Sequence, residues 1–332
     1  MSLQGKKILI TGGTGSFARN FLKVLLTHQP ESIRIYSRDE HKQTELLGQY
    51  GGIRGERNSC VRGFIGDIRD LNRLRMAMEG IDIVVHAAAL KQVQSCEYNP
   101  LETIKTNIYG SQNVIQAALD CNVEKVLAIS TDKAVAPLNL YGSTKMVMEK
   151  LVTNANSYRG RTHRTKFSST RYGNVADSRG TVVHIWKDQI SRKEPVSVTD
   201  FNATRFWLTM AEANQFVVEC LDLMDELDGG EIFCPRIPSV TVQSIYDAIV
   251  PSDYPSKVIG QRIGDKAHED LILKEEILHT TLFREKYVIM PQDPSWPYRE
   301  PIRISPNVKP NQNLTSENNE LYIGPEQIRK TL

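Results

Sequence analysis

Two pairs of chemically reactive residues lie close together near the middle of this 332-residue chain. Asp132 and Lys133 are adjacent, and Tyr141 and Lys145 follow within the next twelve residues, four positions apart. Residues four apart share one face of a helix, so the ammonium of Lys145 is expected to lower the pKa of the Tyr141 phenol. Such a tyrosine acts as a base toward a sugar hydroxyl while a nicotinamide accepts the hydride. A surface helix pair without a chemical role is the alternative.

The adjacent acid and base predict a second step after hydride transfer. Oxidation of a sugar at C4 gives a ketone, which acidifies the proton at C5. A base then removes that proton, an acid protonates the C6 hydroxyl as it leaves, and the hydride returns to C6. Lys133 needs a lowered pKa to be this base, and Asp132 needs a raised pKa to be this acid. A salt-bridged loop pair is the alternative interpretation.

The hydroxyl of Thr131 precedes this pair, directly after the apolar run at residues 126–129. Residues that follow a strand of a parallel sheet lie at its carboxyl edge, where doubly wound folds bind ligands. We therefore expect Thr131 to share the substrate proton with Tyr141.

A glycine-rich turn follows the first apolar run and predicts a pyrophosphate site. The pattern is G-x-x-G-x-x-A, and it ends at Ala18 where a helix is expected to begin. Glycines let the backbone turn tightly and approach a phosphate, and a helix N-terminus offers free N–H groups. A plain strand-to-helix turn is the alternative. The residues assigned to this turn are Thr11, Gly12, Gly13, Thr14, Gly15, Ser16 and Phe17.

The residues after the second apolar run discriminate between NADP and NAD. Ser37, Arg38 and Lys42 are suited to hold a 2′-phosphate, Arg38 through its planar guanidinium. Asp39 and Glu40 argue weakly for NAD, in which an acid binds the ribose hydroxyls. We favour NADP, with a solvated charged loop as the alternative.

Two further segments complete the predicted cofactor site. Asp67 and Ile68 follow the third apolar run, where Asp67 is placed to accept from the adenine amino group. Ala87, Ala88 and Ala89 follow the fourth run, and their small side chains leave room for the flat face of the cofactor.

Apolar runs alternate with helical spacing through the first 175 residues, which predicts an α/β fold. Continuous runs rich in β-branched residues are typical of buried parallel strands. The strand–helix alternation predicts a Rossmann-type, doubly wound parallel sheet. The five runs occupy residues 8–10, 33–36, 61–65, 81–85 and 126–129.

Beyond residue 175 the alternation ends and prolines become frequent, which predicts a smaller C-terminal lobe. We predict an NADP-binding Rossmann domain over residues 1–175 and a mainly substrate-binding lobe over residues 176–332. Residues of about 205–225 are expected to return to the Rossmann core.

The bulk composition restricts the class of protein. A net charge of +2 gives no strong field for nucleic acid or a membrane surface, and the longest apolar runs are only strand-sized. The N-terminus runs directly into a strand and leaves no room for a signal peptide. Five cysteines show neither CxxC nor CxxH spacing, so we expect reduced thiols and no metal site. A cytoplasmic protein without nucleic-acid or membrane partners is therefore predicted.

Taken together, these motifs resemble the extended short-chain dehydrogenase/reductases. More closely, the Ser-Thr-Asp-Lys-Ala and Asn-Leu-Tyr-Gly-Ser-Thr-Lys segments resemble the inverting UDP-N-acetylglucosamine 4,6-dehydratases, which begin pseudaminic acid and related rare-sugar pathways. Retaining dehydratases carry Asp-Glu in place of Asp132-Lys133. The resemblance covers nearly the whole chain, through residues 11–18, 36–40, 66–68, 130–134, 139–145, 171–175, 204–207, 235–239, 262–269 and 316–319.

The resemblance implies roles for the catalytic residues. Tyr141 would deprotonate the C4 hydroxyl, helped by Lys145 and Thr131. Lys133 would take the C5 proton, and Asp132 would protonate the C6 hydroxyl. Return of a proton to the opposite face of C5 would give UDP-2-acetamido-2,6-dideoxy-4-keto-L-arabino-hexose. The NADP would be tightly bound and regenerated in each turnover, and relatives form homo-oligomers from dimer to hexamer.

The resemblance also implies a substrate site for UDP-N-acetylglucosamine or a close analogue. Lys91, Asn174, Arg205 and Arg262 would hold the nucleotide-sugar, together with Asp265, which stands where the family has Glu. The chain departs from the family at residues 92–94, which read Gln-Val-Gln instead of His-Val-Pro. This loop borders the sugar, so the sequence leaves the particular UDP-sugar open.

Two other functions remain possible from the sequence. A UDP-sugar 4-epimerase needs Tyr141, Lys145 and the cofactor, but it has no use for Asp132-Lys133. A non-enzymatic NADP sensor has no need of an intact tyrosine–lysine pair. Fold likeness alone does not separate these functions.

Overall fold

The computed structural model describes residues 3–50, 60–160, 164–176, 180–262, 264–299, 301 and 312–332. The strands are β1 (Lys7–Thr11), β2 (Ser32–Ser37), β3 (Val61–Ile65), β4 (Ile83–His86), β5 (Lys125–Ile129), β6 (Lys166–Thr170), β7 (Asn174–Val175), β8 (Val196–Val198), β9 (Thr204–Leu208), β10 (Ile232–Pro235), β11 (Ser239–Thr241), β12 (Ser256–Val258), β13 (Asp270–Ile272), β14 (Thr280–Phe283), β15 (Lys286–Ile289) and β16 (Leu314–Thr315).

Helices connect most of these strands. They are α1 (Ser16–Thr27), α2 (Glu40–Gly48), α3 (Leu71–Met78), α4 (Val93–Tyr98), α5 (Pro100–Ile104), α6 (Gly110–Asp120), α7 (Leu140–Asn154), α8 (Val182–Ser191), α9 (Met210–Glu226), α10 (Val242–Ile249), α11 (Lys274–Ile277) and α12 (Pro325–Thr331). A π-helical turn, Lys105–Tyr109, joins α5 to α6, and 3₁₀ turns occupy Asp132–Ala134 and Ala155–Ser157.

The main sheet has nine strands among the described residues, in the order β14-β15-β10-β6-β5-β4-β1-β2-β3. Strands β1 to β6 and β10 pair in parallel, whereas β15 runs antiparallel to β10 and β14 antiparallel to β15. The strand order reverses between β1 and β4, where doubly wound folds bind ligands. The predicted Rossmann-type parallel sheet is confirmed.

Each of the five predicted apolar runs overlaps one strand of the sheet. The fourth begins at Ile83 rather than at residue 81, because the Ile81 N–H closes a turn on the Met78 carbonyl at 3.0 Å. Gly80 allows this turn through its positive φ of 66°.

Alternating side chains of the central strands cover both faces of the sheet. Ile8 and Ile10 of β1 point to the face that α1 and α9 cover, and Leu9 points to the face that α3, α6 and α7 cover. All three are fully buried. Helices on both faces therefore exclude water from the strands, as the continuous apolar runs require.

A smaller lobe packs around its own apolar core. Its short sheets include β11-β9-β7 and β12-β8, which pack with α8, α10 and α12, whereas Leu271 and Leu314 of the β13-β16 pair join the core of the main sheet. Trp186 is its largest fully buried side chain and stacks edge-on against Tyr246 with ring centroids 5.7 Å apart. The domain division at residue 175 remains a prediction.

The segments that return to the main sheet are longer than the predicted 205–225. Helix α9 packs on α1, but β10, β14 and β15 also join the sheet edge beyond β6. The proline at residue 235 obscured β10 in the sequence, although that strand ends at this proline. Strands β14 and β15 are only four residues long, too short to give a clear periodic pattern.

A buried ionic cluster joins the two parts of the chain. Arg171, directly after β6, donates through Nη2 to Glu149 Oε2 on α7 at 2.7 Å and through Nη1 to Glu276 Oε2 on α11 at 2.8 Å. Nη1 also donates to the Leu271 carbonyl at 3.0 Å. Arg171 and Glu149 are each 3% exposed. Removing the guanidinium would leave two carboxylates buried without their cation.

Arg171→Met should therefore destabilise the protein by about 3–5 kcal/mol, the usual cost of breaking a buried ion pair. Denaturant unfolding followed by fluorescence measures this loss. Arg192→Met is the matched control, because its pair with Asp188 is exposed and is worth about 0.5 kcal/mol or less. Equal effects of the two substitutions would contradict a structural role for the cluster.

Candidate active site

A cavity of about 660 Å³ opens at the carboxyl edge of the main sheet, between the two lobes. Residues after β1, β4, β5 and β6 form its floor, and residues of the smaller lobe form its roof. Of the predicted site residues, it brings together Ser16, Phe17, Ala87, Ala89, Lys91, Thr131, Lys133, Tyr141, Lys145, Asn174, Arg205, Arg262 and Asp265.

The other predicted residues do not line this cavity. Asp132 lies directly behind its wall, buried against Lys133. The remainder belong to the first turn and to the loops after β2, β3 and β4, and they are Thr11, Gly12, Gly13, Thr14, Gly15, Ser37, Arg38, Lys42, Asp67, Ile68 and Ala88.

The glycine turn has the geometry that a pyrophosphate site needs. Gly12 has a φ of 66°, and a Cβ there would lie 2.8 Å from the backbone nitrogen of Ala88. Only glycine fits between the two loops. Gly15 caps α1 without a side-chain hydrogen bond, which leaves the first N–H groups of the helix available to an anion. These residues fit a dinucleotide.

Thr11 anchors this turn to the loop after β4. Its Oγ1 accepts from the Ala88 N–H at 3.3 Å and lies 2.7 Å from His86 Nδ1. Ser111 Oγ donates to the Asn107 carbonyl and so accepts from His86 Nε2, which makes His86 Nδ1 the acceptor of the Thr11 proton. Burial lowers the pKa of His86 to about 3, so the ring is neutral.

The loop after β2 presents Arg38 to solvent. Its side chain is 54% exposed, and its Nη1 lies 3.6 Å from Asp67 Oδ2. Asp39 caps α2 by accepting from the Lys42 N–H at 2.9 Å and also pairs with the Lys42 ammonium. The carboxylate that argued for NAD therefore has a structural role, and Ser37 is buried beneath the loop.

Asp67 and Ile68 hold neighbouring segments in place. The Asp67 carboxylate accepts from the Arg69 backbone at 2.9 Å and from its Nη2 at 2.6 Å. Burial opposes ionisation, but the hydrogen bonds and charge of Arg69 lower the pKa of Asp67. Ile68 is buried against α6, where a Cβ on Gly110 would lie 2.5 Å from its Cδ1.

Asp132 is fully excluded from water. Its Oδ1 accepts from Thr131 Oγ1 at 2.9 Å and from Lys133 Nζ at 3.1 Å. Within the described part of the chain, its Oδ2 has no hydrogen-bond partner. Burial raises the pKa of Asp132, which is the direction that a general acid requires.

Lys133 lies between two carboxylates and an amide. Its Nζ is 3.1 Å from Asp132 Oδ1, 3.0 Å from Asn174 Oδ1 and 3.2 Å from Glu269 Oε1. Burial lowers the pKa of Lys133, but the charges of Asp132 and Glu269 outweigh burial and raise the pKa above its ordinary value. The lowered pKa that Lys133 needs to act as the base is therefore not provided by this arrangement, which favours the ammonium.

Sequence reasoning missed Glu269. Its side chain is only 4% exposed, it borders the cavity, and Oε2 has no hydrogen-bond partner in the part of the chain that is described. The residue lies inside the segment 262–269 that carried the family resemblance. No local spacing links it to Lys133, because the contact forms only through the tertiary fold.

Tyr141 and Lys145 share one face of α7, which Asn139 caps by accepting from the Gly142 N–H at 2.8 Å. Thr131 and Tyr141 both line the cavity, and Thr131 acts to lower the pKa of Tyr141. Lys145 Nζ donates to the Ile129 carbonyl at 2.7 Å. The predicted constellation of phenol, ammonium and hydroxyl is thus assembled at the end of β5.

The expected effect of Lys145 on Tyr141 is wrong for this arrangement. Burial raises the pKa of Tyr141 to about 12, and the positive charge that opposes this increase belongs to Lys133. Burial also lowers the pKa of Lys145 to about 8, so its charge is itself disfavoured. The Lys145 ammonium is directed to a backbone carbonyl instead.

The predicted substrate residues differ in the donors they offer. Lys91 and Arg262 line the cavity, and burial followed by the charge of Lys133 lowers the pKa of Lys91. Arg205 donates through Nη1 to the carbonyls of Thr204 and Ala267 at 2.6 and 2.9 Å, and through Nη2 to Lys266 at 3.0 Å. Arg205 therefore offers fewer donors to a diphosphate than the sequence implied.

Metal-binding groups and membrane-spanning helices are both absent from the described residues. The described residues contain no set of three or more His, Cys, Asp or Glu side chains placed to hold a metal ion. No helix among the same residues has the length and apolar character needed to cross a membrane.

Comparison with known proteins places this geometry in a family. The family described as "Polysaccharide biosynthesis protein" matches residues 8–291. Two relatives from different strains of Campylobacter jejuni are named UDP-N-acetylglucosamine 4,6-dehydratase (inverting). One is 46% identical over 86% of this chain and 83% of its own length. The other is 42% identical over 97% of this chain and 96% of its own length.

A third relative and two solved structures extend the comparison. A protein of Rickettsia bellii named UDP-glucose 4-epimerase is 39% identical over 82% of this chain and 79% of its length. The X-ray structure of Pen from Bacillus thuringiensis has a TM-score of 0.88 at 32% identity and covers 99% of this chain and 98% of that chain.

The second structure supports the fold alone. It is the dTDP-glucose 4,6-dehydratase DesIV from Streptomyces venezuelae with NAD and TYD bound, and its TM-score is 0.66 at 19% identity over 79% of this chain and 86% of that chain. From the family match, the relatives and the shared fold, this chain belongs to the polysaccharide biosynthesis protein family, among the extended short-chain dehydrogenase/reductases.

Proposed function

We propose that this protein is a UDP-N-acetylglucosamine 4,6-dehydratase that inverts C5. The observation that carries the proposal is the position of Asp132-Lys133 beside Tyr141 and Lys145 at one cavity wall. Two relatives that align along most of this chain have this name. The pair supplies the acid and base for elimination that a simple oxidoreductase does not need.

The first step is oxidation at C4. Tyr141 takes the proton of the C4 hydroxyl, and Thr131, which lines the same cavity, holds the same hydroxyl. Because burial raises the pKa of Tyr141, this base needs added positive charge. Lys133 supplies such charge from the protein. A nicotinamide held by residues 11–17 would supply the hydride acceptor for this step.

The second step is loss of water across C5 and C6. The C4 ketone acidifies the C5 proton, and Lys133 removes it. Asp132 protonates the C6 hydroxyl, which leaves as water. The raised pKa of Asp132 favours the protonated carboxyl that this step requires. Hydride return to C6 and protonation of C5 on the opposite face, which we assign to Tyr141, complete the reaction.

We infer that the cofactor is a nicotinamide dinucleotide held by residues 11–17, and that it is NADP. The support for NADP is Arg38, whose exposed guanidinium lies directly after β2. Asp39, the residue that favoured NAD, is committed to capping α2. Asp67, Ile68 and the alanines at 87–89 are assigned to the adenine and the flat face of the cofactor.

We assign the UDP-sugar to Lys91, Asn174, Arg205, Arg262 and Asp265. Three of these residues, Lys91, Arg262 and Asp265, reach the cavity from loops. Arg205 reaches it from β9, and Asn174 of β7 contacts Lys133 itself.

A homo-oligomer and a cytoplasmic location remain predictions. Large apolar side chains are exposed on α4, α5 and the π-helical turn, namely Tyr98, Leu101 and Tyr109. Such a group of side chains is compatible with a contact between copies of this chain.

A UDP-sugar 4-epimerase is the second candidate, because several relatives at 37–39% identity have the name UDP-glucose 4-epimerase. An epimerase returns the hydride to C4 and leaves the C5–H bond intact. The buried acid–base pair argues against this candidate.

Proton NMR of the purified protein with UDP-N-acetylglucosamine in deuterated water should show a 6-deoxy-4-keto product with inverted C5 and deuterium at that carbon. The deuterium enters because C5 loses its proton and regains one from solvent. A UDP-N-acetylgalactosamine product without solvent deuterium would mean an epimerase. The heat-inactivated protein is the control.

Lys133→Ala should lower the rate of dehydration by about 10²- to 10⁴-fold, the usual contribution of a general base. Oxidation at C4 should fall much less, because Lys133 lends only its charge to Tyr141 in that step, and it is measured by cofactor absorbance in a single turnover. Lys257→Ala, an exposed lysine on β12, is the control and should change neither step. Equal loss of both steps would count against Lys133 as a dedicated base.

Arg38→Ala should weaken NADP binding by about tenfold or more, because a charge-assisted hydrogen bond is worth about 1.5–3 kcal/mol. The affinity for NAD is the internal control and should stay the same. Titration of the cofactor-free protein with each dinucleotide measures both values. An unchanged preference would refute the 2′-phosphate assignment.

A further inference from the structure

Among the carboxylates in the described part of the active-site wall, Glu269 is the one to which the proposed mechanism assigns no role. It contacts Lys133 Nζ at 3.2 Å on the side opposite Asp132. Backbone hydrogen bonds fix its position, since Ser316 donates its N–H to the Glu269 carbonyl at 2.8 Å and its Oγ accepts from the Glu269 N–H at 2.9 Å. The carboxylate is therefore held in place independently of its own contacts.

One ammonium is shared by two buried carboxylates. Lys133 Nζ reaches Asp132 Oδ1 and Glu269 Oε1 at nearly equal distances, 3.1 and 3.2 Å. Each carboxylate also has one buried oxygen without a partner among the residues that are described, namely Asp132 Oδ2 and Glu269 Oε2. A fully buried carboxylate with an unpaired oxygen is costly when ionised, and two such groups around one cation do not both ionise readily.

The surroundings decide which carboxylate keeps the proton. Arg205 Nε lies 4.0 Å from Glu269 Oε1, which gives Glu269 a second cation. Lys266 adds positive charge near Glu269, although it also pairs with Asp270 at 2.8 Å. These charges lower the pKa of Glu269 despite its burial.

Among the described residues, Lys133 is the cation that acts on Asp132, with no equivalent of Arg205 beside it. The groups that face it are the Thr131 hydroxyl, the Lys133 ammonium, the Tyr141 phenol and Glu269 itself, whose negative charge raises the pKa of Asp132 further. With Glu269 ionised, the proton therefore resides on Asp132, and its unpaired Oδ2 is the atom that carries it.

We propose that Glu269 is a positioning residue that acts through Lys133 and Asp132. As the ionised partner of the Lys133 ammonium, it leaves Asp132 protonated and ready to act as the acid.

This inference rests on the proposed dehydratase function, so the first test requires no substrate. Infrared difference spectroscopy at mildly alkaline pH should show a protonated-carboxyl band that Asp132→Asn removes. Glu269→Gln should remove the same band, because Asp132 then becomes the only counter-charge of Lys133 and ionises. Glu231 is a buried carboxyl with a raised pKa far from this cluster, so its band should remain as an internal standard.

The second test is the pH profile of dehydration. The acid must be protonated, so activity falls as pH rises through the pKa of Asp132. In Glu269→Gln that pKa falls, and the alkaline limb should move to lower pH by about one unit or more, a loss of about tenfold in rate at a fixed alkaline pH. Oxidation at C4 should be unchanged, and Glu269→Asp should retain most of the wild-type profile because it keeps the charge.

Controls separate the possible outcomes. Glu275→Gln removes one exposed negative charge from the neighbouring helix α11 and should leave the profile unchanged. An Asp132 band that survives in Glu269→Gln, or an alkaline limb that does not move, would overturn the inference even when the wild type dehydrates the sugar. Absence of dehydration by the wild type would instead refute the proposed function, and the infrared result would stand by itself.

Discussion

The contact on which the site most depends is the ionic cluster around Arg171. Its guanidinium pairs with Glu149 on α7 and with Glu276 on α11, and it lies at the end of β6. Helix α7 carries Tyr141 and Lys145, whereas the segment that leads to α11 carries Glu269. One side chain therefore links the helix that carries Tyr141 and Lys145 to the segment that carries Glu269.

Burial shifts the pKa of the acids and the pKa of the lysines of this site in opposite directions. It favours the neutral form of every ionisable side chain, so a buried carboxyl becomes an acid and a buried lysine becomes a base. Lys145 follows this rule, with its pKa lowered to about 8. Lys133 does not, because two carboxylates contact its ammonium. The raised pKa of Asp132 favours its acid form before catalysis. Lys133 acts as the base only after its ammonium has lost a proton.

The sequence was informative where contacts are local. The five central strands, the glycine turn and the tyrosine–lysine pair could be predicted because each depends on the spacing of neighbouring residues. Glu269, the backbone contacts of Arg205 and the short strands β14 and β15 could not, because each depends on packing between distant segments. Whether Lys133 meets the condition of a lowered pKa could not be read from the sequence for the same reason, because one of the charges that raise its pKa belongs to Glu269.

The dependence on distant segments has a consequence for synthesis of the chain. Ribosomes deliver the N-terminal strands first, and these strands can pair before the rest of the protein exists. Arg171 and Glu276 are 105 residues apart, so the ion pair between them forms only late in synthesis. The last segment to join, around Ser316, holds Glu269 in place. A nascent chain that has completed its cofactor-binding strands thus lacks a functional elimination site, and a premature stop before Ser316 would leave that site incomplete.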